Sequence, residues 1–114
     1  MPGTPFTTNV RRSGDRVVVD LHGDVNRSSQ ADLEQAYEQA AAFSEQLVLN
    51  FAGVDYINST GIAVIVGLLA KARAEHRRIA AYGLSDHYRE IFQITRLSDF
   101  MTIHKTETAA LAAG

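Results

Sequence analysis

The hydrophobic positions change period along the chain, and those changes predict its elements. Pro5 to Arg11 and Arg16 to His22 are short extended runs separated by Ser13-Gly14-Asp15. In the second run Val17, Val19 and Leu21 alternate with Val18, Asp20 and His22, which predicts a β-hairpin. After Gly23 the period lengthens. Ser29, followed three residues later by Asp32, resembles a capping box, and Leu33, Ala36, Tyr37, Ala40 and Ala41 recur at helical spacing, so a first helix is expected from Ser29 to Phe43. QLVLNF, Gln46 to Phe51, is a near-continuous apolar run of strand length that ends at Gly53, as in a covered parallel strand.

The stretch DYINSTG, Asp55 to Gly61, leads into a second helix. There Ile62, Ile65, Val66 and Leu69 form one stripe, while Ala63, Val64 and Leu68 leave almost no polar side, so a mostly covered helix is expected. Arg78 to Gly83 reads as a further strand. Ser85 caps a third helix carrying Tyr88, Ile91, Phe92 and Ile94; Phe100 to His104 is a last strand, and TETAALAA a short closing helix. The order ββαβαβαβα belongs to the α/β (mixed α+β) class, with a mostly parallel mixed sheet opened by a hairpin. One domain over residues 1–114 is expected, with its core at about 5–109 and with Met1-Pro2 and the tail after Ala109 fraying.

Composition narrows the function. A length of 114 residues at 46% hydrophobic suits one compact core. Eleven Lys+Arg against 13 Asp+Glu leave a net charge of −2, which argues against nucleic acid as a partner. The absence of cysteine excludes disulfides, thiolate metal sites and thiol nucleophiles. The N-terminal stretch has no apolar run of signal-peptide length, and Gly61 to Ala70, the longest apolar run, is about half of a bilayer crossing. A cytoplasmic protein without direct membrane insertion is therefore expected, and the Asn58-Ser59-Thr60 match to a glycosylation acceptor carries no weight.

At the strand-to-helix turn, Ser59 or Asn58 is the N-cap, worth about 1 kcal/mol. A cap alone does not account for three small polar residues followed by Gly61, since a first-turn glycine costs up to about 1 kcal/mol against alanine. A phosphoryl group on Ser59 would meet the positive end of the helix and bring roughly −1.5 to −2 charges to an uncharged spot. The basic run ending the helix, with Lys71, Arg73, Arg77 and Arg78, is explained by the negative dipole end. A serine hydrolase is the distant alternative, and it is weak: Ile57 stands where a nucleophile elbow needs its first glycine. The histidines His22, His76, His87 and His104 are scattered singly, so no catalytic or metal-ligating set is expected. No cofactor is expected, and with no glycine loop to cradle phosphates, neither is tight ATP or GTP binding.

DYINSTGIAVIVGLLAKAR, LHGDVN and GLSDHYREIFQITRLSDFMTIH together resemble the STAS domains, named for sulfate transporters and anti-sigma factor antagonists. The resemblance covers nearly the whole chain. It implies a stand-alone anti-sigma factor antagonist: a non-enzymatic module that binds an anti-sigma factor with serine kinase activity, is phosphorylated on its motif serine, here Ser59 (Thr60 as the alternate), and is restored by a serine phosphatase. It also implies a partner-binding surface of Asn26, Asn58, Ser59, Thr60, Gly61 and Ile62. The family usually has aspartate where this chain has Asn58 and Asn26. An amide keeps the size and accepts a hydrogen bond, but carries no charge, cannot act as a base and holds Mg²⁺ poorly. The alternative implied is an unphosphorylated STAS scaffold or transporter accessory subunit acting by binding alone.

Overall fold

A computed structural model describes residues 3–112. Its elements are β1 (Thr7–Ser13), β2 (Arg16–Val25), a 3₁₀ turn (Arg27–Ser29), α1 (Gln30–Ala41), β3 (Gln46–Ile57), α2 (Ser59–Ala74), β4 (Arg78–Tyr82), α3 (Asp86–Ile94), a second 3₁₀ turn (Leu97–Asp99), β5 (Thr102–His104) and α4 (Glu107–Ala112). The order is the expected ββαβαβαβα. The sheet runs β1-β2-β3-β4-β5, with β1 antiparallel to β2 and the remaining pairs parallel. Ser13 pairs with Arg16, so the hairpin closes through two residues, and Gly14 takes the positive φ of 62° that such a loop requires.

The strands are longer at the end that carries the DYINSTG turn than the sequence suggests. β2 continues past His22 to Val25, and β3 continues past Gly53 to Ile57, because the two pair on through register shifts at Asp20/His22 and Gly23/Asp24. Asp55 and Tyr56 therefore belong to a strand. At the other termini the elements are shorter than expected: β1 begins at Thr7 and β5 at Thr102.

Alternation divides the core in two. Val17, Val19, Leu21, Leu47, Leu49, Ile79 and Ala81 point to the face covered by α1, α2 and α3, where Leu33, Tyr37, Ile65, Leu68, Leu69 and Phe92 complete the main core. Val18, Val48 and Tyr82 point to the opposite face, under Ala110 of α4. Val17 through Leu21 are consequently all buried, both sets of alternating positions included. The tail after Ala109 is likewise not loose as far as Ala112: it is the second half of α4, with Ala110 at 1% exposure. Met1, Pro2 and residues 113–114 lie outside the described residues.

Three expectations about helices are corrected. Ser29 does not cap α1; it is fully buried, accepts from Asn26 N at 3.0 Å and donates to Asp24 O at 3.2 Å, so the capping box closes the 3₁₀ turn between Asn26 and Ser29 instead. Val66 is 44% exposed, because the buried stripe of α2 is Gly61, Ile65, Leu68, Leu69 and Ala72, rotated away from it. Ile94 is 71% exposed at the end of α3, where Phe92 alone is buried.

Candidate functional site

The turn between β3 and α2 is built from four residues, three of which have structural work to do. Asn58, in extended conformation, is the N-cap: its Oδ1 accepts from Gly61 N at 2.8 Å and from Thr60 Oγ1 at 2.7 Å, satisfying a helix-end donor that would otherwise be orphaned. Thr60 Oγ1 in turn accepts from Arg27 N at 3.1 Å, so its hydroxyl joins α2 to the loop after β2. Gly61 is required by contact: a Cβ there would stand 2.1 Å from Val25 O. Its presence therefore reports close packing of α2 on the end of β2, which accounts for the first-turn glycine that a cap alone leaves unexplained.

Ser59 differs from all three. It is the first residue of α2, it is exposed, and its hydroxyl makes no hydrogen bond among the described residues. Of the two capping candidates, Asn58 is the cap. A free hydroxyl at the positive end of a sixteen-residue helix is thereby left facing solvent.

Around this hydroxyl the chain is tied down. Asn26 Oδ1 accepts from Ser28 N at 2.9 Å and Ser28 Oγ at 2.5 Å, fixing the loop after β2. Asn58 N donates to Val25 O at 3.3 Å, and Ile57 N donates to Tyr88 OH at 2.8 Å, so α3 also holds the end of β3. Asn26, Asn58, Thr60 and Gly61 are thus brought together about Ser59 through Val25 and Arg27. Ile62 is half-buried and leans on the main core.

The sequence missed the outward face of α2. Ser59, Ala63, Val66, Gly67 and Ala70 are exposed at helical spacing and form a small-residue apolar strip running away from the free hydroxyl. Beside it a shallow groove of about 270 Å³ separates α1 from α2, with Ala63, Val64, Gly67 and Leu68 between Arg27 and Lys71. A Cβ on Gly67 would meet nothing within 4 Å, so packing inside this chain does not require that glycine. The signal was present in the sequence as a helix lacking a polar side.

The histidines do not converge on Ser59. His104 Nε2 lies 2.9 Å from Thr102 Oγ1, His87 packs edge-on to Tyr88, and His76 sits in a left-handed turn after α2. No group of three His, Asp or Glu side chains that could hold a metal occurs among the described residues.

The family described as "Mlab, STAS domain" matches residues 8–103. The chain is 30% identical to an anti-sigma-B factor antagonist of Listeria monocytogenes, across 84% of this chain and 85% of the relative. Its fold is similar to that of an anti-sigma factor antagonist from Mycobacterium paratuberculosis, with a TM-score of 0.78 and 22% identity over 96% of this chain and 93% of the other. It is also similar to unphosphorylated SpoIIAA, an anti-sigma factor antagonist, with a TM-score of 0.66 and 21% identity over 92% and 93%. The Bacillus protein of that name has also been solved in its phosphorylated form.

Proposed function

The chain belongs to the STAS domain family, and from that premise we propose that it is an anti-sigma factor antagonist, a cytoplasmic regulatory protein with no catalysis of its own. It binds an anti-sigma factor that is also a serine kinase, through Asn26, Asn58, Ser59, Thr60, Gly61 and Ile62 and the adjoining strip of α2. Phosphate on Ser59 breaks the complex, and a serine phosphatase restores it.

The observation that carries this reading is the division of labour in the turn. Asn58, Thr60 and Gly61 are committed to holding α2 on β2, whereas Ser59 alone of the four is exposed and its hydroxyl has no hydrogen bond among the described residues. Modifying Ser59 leaves the fold intact. Modifying Thr60 would replace the hydroxyl hydrogen that it donates to Asn58 Oδ1 and place a phosphate against Arg27 N, so Ser59 is the better acceptor and Thr60 the lesser. A phosphoryl group is stabilised by the helix end in the free protein, but under a partner's surface it would be desolvated and bulky.

Binding of the purified protein to its anti-sigma factor tests the reading. Ser59→Ala is expected to bind as wild type does, and Ser59→Asp to bind about 2 kcal/mol more weakly, roughly 30-fold, with unchanged folding. Equal binding by both variants, with no phosphate on Ser59 or Thr60 in protein from its native cell, would overturn it.

A second reading is favoured by the two amides. Asn58 and Asn26 supply the capping oxygens without a charge, as a scaffold or a transporter accessory subunit that binds without being phosphorylated would require. Asn58→Asp separates the two. A kinase that modifies wild type, and modifies this variant faster, supports the switch; a partner that binds both Ser59 variants equally supports the scaffold.

A further inference from the structure

At the end of the sheet away from Ser59, where the parallel strands begin, a cleft of about 670 Å³ opens between the C-terminal end of α2, the starts of β3 and β4, and the second 3₁₀ turn. Its rim carries four arginines, Arg16, Arg73, Arg77 and Arg78, together with His76, against one carboxylate, Asp99. Asp99 is itself engaged, 2.9 Å from Arg96 Nε. The lining also includes Leu47, Ile79, Phe100 and Met101.

The negative end of a helix dipole accounts for a cation such as Arg73. It does not account for Arg16 and Arg78, which open β2 and β4 and reach the same cleft from strands. Some of this charge is answered within the chain: Arg16 Nη1 donates to Leu111 O at 2.8 Å, and Arg77 Nη1 stands 4.0 Å from Glu45. Two polar atoms of lining residues are not answered. Arg77 Nε and Gln46 Oε1 are buried and have no hydrogen-bond partner among the described residues. Arg77 Nε is a donor that an acceptor bound in the cleft would answer, whereas Gln46 Oε1 is an acceptor and takes no bond from a phosphate oxygen. The Phe100 ring is 46% exposed and lies under the Arg73 guanidinium, 5.1 Å from its centroid, so a flat apolar surface adjoins a fixed positive charge.

We propose that this cleft is a binding site for a small phosphomonoester with a planar or apolar body, the phosphate held by Arg73, Arg77 and His76 and the body lying against Phe100. Its volume falls in the range of small-molecule sites. The arginine side chains, and not a glycine loop, supply the donors, so the site is not the ATP or GTP cradle that the sequence argues against. Confinement in a cleft, on a chain of net charge −2, favours a small ligand over a polyanion or a membrane plane. The site lies apart from Ser59 and does not depend on the switch.

Titration of the ¹⁵N-labelled protein with phenyl phosphate, inorganic phosphate, a short single-stranded DNA or phosphatidylglycerol vesicles tests the proposal. Phenyl phosphate is expected to saturate, at least tenfold tighter than inorganic phosphate, with shifts centred on Arg73 to Arg77 and Phe100 and absent at Ser59. Arg73→Gln should weaken both phosphates at least fivefold, and Phe100→Ala should weaken phenyl phosphate only. Arg73 and Phe100 are exposed, so both variants should keep the fold, checked by the unchanged remainder of the spectrum. No saturable shift at millimolar phenyl phosphate, equal binding by Arg73→Gln, or preferential binding to DNA or vesicles would each overturn it.

Discussion

The two faces of the sheet are closed by different physics. Under α1, α2 and α3 the contact is mainly apolar and non-directional, with Ile65, Leu68, Leu69 and Phe92 each at or below 3% exposure and directional bonds such as that from Ile57 N to Tyr88 OH only at its edge. Under α4 the apolar part is small, and a chain of polar groups does the rest. Arg11 Nε donates to Asp20 Oδ2 at 2.8 Å, Asn50 Nδ2 donates to Asp20 Oδ1 at 2.8 Å, and Asn9 Nδ2 donates to Asp20 Oδ2 at 3.3 Å. Arg11 also pairs with Glu107, which accepts from Tyr82 OH at 2.5 Å, so four strands and the last helix are tied into one network centred on the guanidinium. A short helix with little to bury is thus fixed by bonds that require particular partners, whereas the front helices are fixed by area. Substitutions should therefore fail differently on the two faces.

The largest effect is expected on the front face. Ile65→Ala or Leu69→Ala should lower stability by roughly 2 to 5 kcal/mol in urea unfolding, since each removes a fully buried side chain from the main core. A loss below about 0.5 kcal/mol would mean that this face is not the tightly packed one.

Next comes the back face, where removing Arg11 leaves the Asp20 and Glu107 carboxylates without their cation. Arg11→Ala should cost about 1 to 3 kcal/mol, and the double variant Arg11→Ala with Asp20→Asn less than the sum of the singles. Strict additivity would break the network and leave only separate surface bonds.

Acid should distinguish the faces more gently. Burial pulls the Asp20 carboxyl upward, but the hydrogen bonds from Arg11, Asn50 and Asn9 outweigh it and hold the group below its ordinary range. Glu107 is lowered first by Arg11 and then by Tyr82. Both folded-state values lie below the unfolded ones, so the unfolded chain binds more protons in acid. The stabilisation is present above about pH 4 and is lost as pH falls through the folded values. Urea midpoints measured from pH 6 to pH 2.5 should fall more steeply for wild type than for Asp20→Asn; equal slopes would detach Asp20 from the clamp.

The smallest effects belong to the turn at the edge of the front face. Asn58→Ala should cost about 1 kcal/mol as a lost cap, and Ser59→Ala should stay within about 0.5 kcal/mol of wild type in the same unfolding assay. A Ser59→Ala cost equal to that of Asn58→Ala would return Ser59 to a structural role.

The element order, the parallel sheet and the family were all readable from the chain, because they rest on periodicity and on local motifs. Ser59 stood out for the same reason, and its neighbours Asn26 and Asn58 followed from the resemblance. Which residue caps α2 was not readable: Asn58 and Ser59 are both good caps, and only the backbone path from β3, with Asn58 extended, gives the bond to Asn58.

What the sequence determined by itself is what depends on residues close along the chain: helix and strand periods, the hairpin, the cap at Ser85 and the motif around Ser59. The tertiary structure alone decided what depends on residues far apart. Arg11 and Glu107 are separated by 96 positions. Val18 is buried because α4 returns over it, Gly61 is obligatory because Val25 O approaches it, and Val66 is exposed because α2 turns another stripe to the sheet. The physical reason is that a local pattern specifies which side chains share a face, while burial depends on which distant surface that face meets.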